Sequence, residues 1–506
     1  MNKCIKLVGA IFTGILALLF FCALRTAYLS MTKPAPLPVC QRNESEGYID
    51  STQAWERLKG ALRIPTVSVK PHDYDRTALK KMVEFIRKNY PKVFTSPIVR
   101  PDVINEYSLL LEVSGSNKSL TPYALTGHLD VVPVLQDEWE WEGFGGEEAE
   151  EGEVMYGRGA VDNKGPVMAQ LEALNFLLSR GIRPQRGFYL AYGHDEEVGG
   201  EDGAAKIAEE LRKRGVNKLL FILDEGLPIT RGLLKGLNKD LAGIGVTEKG
   251  SLYLNLTIHA EGGHSSAPPV ESSIGILSKA ISRLEENPHK LIFDHITRSL
   301  IHQLSFDMSF PLNIICSNLW LFEPIVTRVL ARGTTKGLVR TTTAVTMIGG
   351  GIKHNVIPPS AWAVVNHRIH PSQTIAEVVA RDKAVMNDER VRVEIMRGYE
   401  AHPTSPHDNI EFDTISESIK QAYPDSTTAP ITMIANTDMG HYLKFTDKIY
   451  RFNPTLMAGK DVYRIHGRDE RIHRKSFEAS MNLYYHLMLN VDLMNLDTGG
   501  ARHTEL

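Results

Sequence analysis

Three short apolar runs in this sequence each stop on a group of acids and histidines. Tyr123 to Thr126 leads into Gly127-His128-Leu129-Asp130. Phe188 to Tyr192 leads into Gly193-His194-Asp195-Glu196-Glu197, and Leu219 to Leu223 into Asp224-Glu225-Gly226. Short aromatic and aliphatic runs bounded by glycine read as buried strands. Between the first two, Val167, Met168, Leu171, Leu174 and Leu178 recur at helical spacing. Alternating strands and helices build an open α/β sheet, and such a sheet collects its site beyond the carboxyl ends of its strands.

The pattern changes near Glu248. Ser251 to Ala260 alternates like a half-exposed strand, and Ile274 to Leu284 has helical spacing. Thr341 to Ile348 and Ala361 to Ile369 read as strands, Ile375 to Met386 as a helix and Val391 to Met396 as a strand. That order predicts a small antiparallel sheet with helices on one face. At 506 residues the chain is too long for one ordinary core. The expected fold class is therefore α/β: a catalytic domain with a mixed, mainly parallel sheet flanked by helices, plus an inserted α+β lid domain with an antiparallel sheet. The expected boundaries are 51–247 and 399–495 for the catalytic domain, 248–398 for the lid and 496–506 for a polar tail.

The start of the chain is of another kind. Lys3 and Lys6 precede an apolar run from Leu7 to Leu24, closed by Arg25. Residues 1–27 read as a secretory signal peptide or, being about long enough to span a bilayer, a signal anchor. The basic residues ahead of the run leave the N-terminus cytosolic and the body on the other side. The expected location is secreted, with a lumenal, anchored protein as the alternative. Residues 28–50, with Pro34, Pro36 and Pro38, read as a linker. Outside the leader only Cys40 and Cys316 remain, too few for a disulfide framework or a thiolate zinc site. Asn43, Asn117 and Asn255 begin glycosylation acceptor triplets. The net charge of -3, with no long block of one sign, suggests no nucleic-acid partner.

Catalytic zinc takes imidazole nitrogen and carboxylate oxygen and keeps a position open. Five places offer such groups: His128 with Asp130, Asp162 in Gly157-Arg158-Gly159-Ala160-Val161-Asp162, Glu196-Glu197, Asp224-Glu225, and His466. Singly, each has an ordinary structural reading, as a strand-end cap, a tight turn or a solvated helix start.

Their joint order resembles the co-catalytic zinc family of aminoacylase, carnosinase, bacterial carboxypeptidase G and succinyl-diaminopimelate desuccinylase. The resemblance covers nearly the whole chain after residue 50. It rests on Gly127-His128-Leu129-Asp130-Val131-Val132-Pro133, Gly157-Arg158-Gly159 leading to Asp162, Asp195-Glu196-Glu197-Val198-Gly199-Gly200, Leu223-Asp224-Glu225-Gly226, Gly263-His264-Ser265-Ser266, Asn355-Val356-Ile357-Pro358 and His466-Gly467.

The resemblance implies two zinc ions per chain. His128 is then the ligand of one, its ring held by Asp130. Asp162 bridges both, and Glu197 with His466 binds the other. The adjacent acids at 224 and 225 leave the last ligand ambiguous, with Asp224 preferred and Glu225 the alternative. Glu196 is implied as the general base. A turn after the strand is needed to aim Glu196 and Glu197 at different targets, because neighbours in a strand point opposite ways. In the lid, the resemblance implies His264 as an oxyanion donor, and Asn355 and Arg368 as holders of a substrate carboxylate.

Gly250-Ser251, the segment from Gly263 to Pro269, the segment from Ser317 to Pro324 and the leader are similar to a secreted vertebrate branch of the family. Its members both form and cleave N-fatty-acyl amino acids. The implied activity is a reversible zinc amidohydrolase. Its small-molecule partner is an N-acyl amino acid, or a fatty acid plus an amino acid. A carboxypeptidase or dipeptidase acting on peptides is the alternative, and a non-catalytic acyl-amino-acid carrier a further one. Membrane contact is expected only if the leader is retained. Between Ile292 and Arg340 lies a long connection carrying Phe293, Phe306, Phe310, Trp320 and Phe322. It reads either as an apolar channel for an acyl chain or as extra lid core and a homodimer contact.

Overall fold

The computed structural model describes residues 2–41 and 49–494. Asn43 and the tail 496–506 lie outside the described residues.

An eight-stranded mixed sheet forms the larger layer. Its strands are β1 (Val99–Ile104), β2 (Ser108–Val113), β3 (Tyr123–His128), β4 (Phe188–Gly193), β5 (Ile222–Arg231), β6 (Asp240–Glu248), β11 (Ser426–Met433) and β12 (Ile449–Ala458). They lie in the order β11-β6-β12-β5-β3-β4-β2-β1. The central pairs β12–β5, β5–β3 and β3–β4 are parallel, as is β6–β11, whereas β1–β2, β2–β4 and β6–β12 are antiparallel. β3 and β4 are buried almost throughout, as strands covered by helices on both faces must be. Helices α2 (Ser51–Leu62), α3 (Arg76–Asn89) and α4 (Lys164–Ser179) join α12 (Arg474–Asn490) in one continuous core. α5 (Ala204–Lys213) covers the other face through Ile207, Ala208 and Leu211.

A four-stranded antiparallel sheet follows, built from β7 (Gly250–His259), β8 (Thr342–Gly350), β9 (Ser360–Ile369) and β10 (Arg392–Tyr399) in the order β8-β9-β7-β10. Helices α6 (Ser273–Glu286) and α10 (Ile375–Met386) cover one face, burying Leu252, Leu254, Leu256, Ile276, Leu277 and Val378. Thr374 and Glu377 close a reciprocal cap at the start of α10. The chain leaves the large sheet at Lys249 and re-enters it after Tyr399. Asn255 points to the uncovered face, in a depression shared with Thr257, Met347, Trp362, Val364 and Met396. Asn117 sits exposed in a loop, where its side chain accepts from Ser119.

The connection between α6 and β8 holds α7 (His295–Ser305), α8 (Leu312–Ser317) and α9 (Leu319–Leu330). α7 packs on the β11 edge of the large sheet through Leu300 and Leu304, against Ala429 and Ile431. Phe293 and Phe322 pack with Cys316, Leu319, Val326 and Leu330 in a small core of the insert's own. Phe293 and Phe322 thus belong to that core, while Phe310 and Trp320 are exposed. The insert also rests partly on the catalytic sheet and not on the lid alone.

The N-terminal helix α1 runs over Asn2–Met31, past the edge expected near residue 27. Nothing in the chain interrupts it before Pro34. α11 (Ile410–Ala422) completes the helices that frame the site.

Candidate metal centre

The clusters reach the site from the carboxyl ends of β3 and β4, from within β5, and from loops beside them. His128 closes β3. Its Nδ1 lies 3.3 Å from Asp130 Oδ1 and 3.0 Å from the Asp130 carbonyl oxygen. Asp130, fully buried, also accepts from the backbone nitrogens of Glu196 and Glu197 at 3.1 and 3.2 Å. It thus fixes the imidazole and the acidic turn in one stroke. That turn, Glu196–Val198, follows β4 as a single tight helical turn, and it frees the two glutamates from strand alternation.

Asp162 stands between two histidines. Its Oδ1 is 3.1 Å from His128 Nε2, and its Oδ2 is 3.0 Å from His466 Nε2. His466 Nε2 is also 3.2 Å from Glu197 Oε2, and His128 Nε2 is 3.2 Å from Glu225 Oε2. Three groups of donor atoms follow, His128-Glu196-Glu197, His128-Asp162-Glu225 and Asp162-Glu197-His466, with every atom in each within 4.8 Å of the others. In the first of these Glu196 Oε2 is 3.9 Å from His128 Nε2.

Two backbone features allow the loop of Asp162 to reach the end of β3. Gly159 has φ +92°, a left-handed turn that favours glycine. A Cβ on Gly127 would come within 2.6 Å of Asn163 Oδ1, so only glycine admits the loop that closely.

Electrostatically the site is a cage of half-buried carboxylates. Burial, then the Glu225 charge, pushes the Glu196 carboxyl up, and burial raises Glu225 as well. Burial also acts to raise Asp162, but hydrogen bonds to His128 and His466 outweigh it and hold this carboxyl below the usual range. Hydrogen bonds to Asp162 and Glu197 raise His466 to about 10. Glu197 Oε1 is buried with no hydrogen-bond partner. Four acids and two imidazoles with an orphaned buried oxygen form a donor set suited to divalent cations.

The two adjacent acids stand differently to the donor groups. Asp224 Oδ1 accepts from Thr126 Oγ1 at 2.6 Å, and Asp224, preferred on the sequence, lies outside all three donor groups, whereas Glu225 lies within one. β5 does not stop at Leu223 but continues through both acids to Arg231, with an irregular register between Asp224 and Pro228.

Sequence reasoning missed Glu470. This fully buried carboxylate accepts from the backbone nitrogens of Gly159, Val161 and Asp162 at 3.1, 2.7 and 3.0 Å, and pairs with Arg158 at 2.7 Å. It fixes the loop that presents Asp162. An acid four residues beyond His466 carries no pattern that would single it out. Asp438, also missed, is a half-buried acid pushed up by desolvation and by the Asp224 charge. His194 proves structural: it bonds Ser108 Oγ at 2.7 Å and sits edge-on to Tyr74 and Tyr107.

The lid residues form two groups. His264 and Asn355 adjoin in a two-strand pairing, His264 opposite Val356, and the Ser265 nitrogen bonds the Asn355 carbonyl oxygen at 3.1 Å. His264 is exposed and bonds Ser266 Oγ at 2.7 Å, while Asn355 Oδ1 is buried without a partner. Arg368 donates to Asn436 Oδ1, and Asn436 donates to the Lys249 carbonyl oxygen at 2.5 Å, where the chain passes between the two sheets. On β10, the Arg397 guanidinium stands 3.4 Å from where a Cβ on Gly199 would lie, beside the Glu196–Glu197 turn.

This fold and site define a metallohydrolase class. The profile of peptidase family M20/M25/M40 matches residues 124–490, and the chain belongs to that family of amide-bond hydrolases. Among curated proteins it is 42% identical over 499 residues to the N-fatty-acyl-amino acid synthase/hydrolase PM20D1 of Xenopus tropicalis, covering 97% of this chain and 96% of that one. The Mus musculus protein of the same name is 45% identical over 442 residues, covering 86% of this chain and 87% of that one. Among solved structures, human carnosine dipeptidase 1 superposes with a TM-score of 0.66 at 16% identity, over 90% of this chain and 100% of that one. The M20 metallo-carboxypeptidase Sso-CP2 of Sulfolobus solfataricus does so at 0.64 and 18% identity, over 87% and 99%.

Proposed function

We propose that this chain is a bidirectional N-fatty-acyl-amino acid synthase/hydrolase whose site holds two zinc ions. The supporting observation is the two-sided placement of Asp162 between His128 and His466, in a chain 42–45% identical to relatives with that activity in their names. His128, Asp162 and Glu225 would hold one ion; Asp162, Glu197 and His466 the other. When bound, such cations acidify water and polarise the amide carbonyl.

The remaining work falls to the protein's own groups. Glu196 takes the proton of the attacking water as the C–O bond forms, and gives it to the leaving nitrogen as the C–N bond breaks. Asp130 keeps the His128 ring and the Glu196–Glu197 turn in register. His264 donates to the developing oxyanion, and Asn355 with Arg368 takes the substrate carboxylate. For this, His264 must leave Ser266 and Arg368 must leave Asn436, so closure of the lid accompanies substrate binding. In synthesis the same groups act in reverse order.

A carboxypeptidase acting on peptides is the second reading, favoured by the Dictyostelium discoideum relative named probable carboxypeptidase S-like 2, at 40% identity. Purified protein assayed on N-oleoyl-phenylalanine and on dipeptides separates the two. Turnover of the lipid conjugate is expected, and activity on dipeptides alone would refute the lipid reading. A carrier role is disfavoured because Glu196 and the whole donor set are in place.

The body of the protein is proposed to lie on the secretory side of the membrane. A homodimer is proposed through the uncovered lid face, which exposes Met347, Trp362 and Met396.

A further inference from the structure

The placement of α1 is not explained by anything above. Its stretch Ile5–Met31 is 27 residues long and apolar enough to cross a bilayer. Every residue from Ile5 to Phe21 is exposed. The end of the helix is docked on the insert. Cys22 and Thr26, one turn apart, are buried against α8 and α9. Asn318, fully buried between those two helices, donates its side-chain amide to the Cys22 carbonyl oxygen at 3.1 Å and to Thr26 Oγ1 at 3.2 Å. The Arg25 guanidinium donates to the Ser317 carbonyl oxygen. Trp320 meets Phe21 edge-on at 6.3 Å and donates its indole N–H to Asn318 Oδ1 at 3.2 Å.

These contacts fall at a telling level. From Asn2 to Phe21 an α-helix rises about 30 Å, the thickness of a bilayer's hydrocarbon core. The docked end begins where the bilayer would stop, and Trp320 lies at that edge, a depth that tryptophan favours. Beside it α9 exposes Ile325 and Val329, and Phe310 stands exposed ahead of α8. The one acid of α9, Glu323, is paired with Arg298, while Arg328, Arg332 and Lys336 remain exposed to meet headgroup phosphates.

We propose that α1 stays on the mature chain as an anchor, and that Asn318 clamps it so that the outer arc of α9 lies on the surface of the same bilayer. The partner is a phospholipid surface. A leader that is cut away would strip the buried Asn318 amide of two of its partners.

Two measurements test this. The full chain, tagged at its C-terminus and expressed in secretory cells, should stay in carbonate-washed membranes with its first thirty residues intact. Release of the chain into the medium without them would overturn the proposal. The purified full chain in phosphatidylcholine vesicles brominated near the headgroup should show tryptophan quenching that Trp320→Phe largely removes. Asn318→Leu should keep the chain in the vesicles but cut that quenching by at least half. Equal quenching in wild type and Trp320→Phe would overturn the docking, as would cross-linking of α9 to a second copy with no quenching.

Discussion

Asp224 and Glu225 are adjacent in β5 yet meet different partners. Asp224 accepts from the Thr126 hydroxyl at 2.6 Å, while Glu225 reaches within 3.2 Å of His128 Nε2. Of two side chains of one charge and nearly one length, only Glu225 joins a donor group. Glu225→Gln should lower bound metal from two to one per chain and cut kcat/KM by more than about 100-fold. Asp224→Asn should keep both metals, as metal analysis of the two purified variants will show.

Glu196 shares a donor group with His128 and Glu197, but its carboxylate stands 3.9 Å from His128 Nε2, farther than Glu225 and Glu197 stand from their histidines. Glu196→Gln should leave the metal content unchanged and lower kcat by about 10²–10⁴-fold, the usual contribution of a general base. Full turnover in this variant would remove Glu196 from that role.

Glu470 acts through the backbone of the 159–162 loop. Loosening that loop should weaken metal binding by about 10–100-fold, as loss of an outer partner typically does. Titration of Glu470→Gln with a chelator measures this directly, and saturating zinc should restore much of its activity.

Glu248 ends β6 next to the chain's exit into the lid sheet. Burial acts to raise its carboxyl, but the Arg451 guanidinium and His402 more than reverse this and hold it at about 2. A carboxyl depressed on folding contributes stability that is complete above its unfolded value and is lost as pH falls toward its folded one. Glu248→Gln should therefore cost about 3–5 kcal/mol at pH 7, the penalty for breaking a buried pair. The gap between variant and wild type should shrink from pH 5 toward pH 2 in urea unfolding.

Asn255 shares the uncovered lid face with Trp362 and Met396, so a glycan there and a lid-to-lid dimer exclude each other. With the dimer formed, Asn117 should carry a glycan and Asn255 none. Peptide mass mapping after deglycosylation reads both sites, and light scattering reads the mass of the particle.

Three central strands of the large sheet and the candidate donor groups beside them were legible because each of those strands is an apolar run that ends in polar chemistry. What the sequence hid depends on register. The apolar run reads as ending at Leu223, but β5 runs on to Arg231, its pairing with β12 shifting between Arg451 and Asn453. Glu225, not the preferred Asp224, falls in a donor group. The support from Glu470 was invisible because it acts on backbone nitrogens, which leave no trace in residue type. The insert's aromatic residues left a channel and a small core equally open because composition cannot tell one from the other.

Anomalous diffraction at the zinc edge on crystals of the full chain, combined with metal content by mass spectrometry, bears most directly on this account. Two ions per chain should appear on opposite sides of the Asp162 carboxylate, one against His128 and Glu225, the other against Glu197 and His466. A single ion, or ions bound away from Asp162, would contradict it.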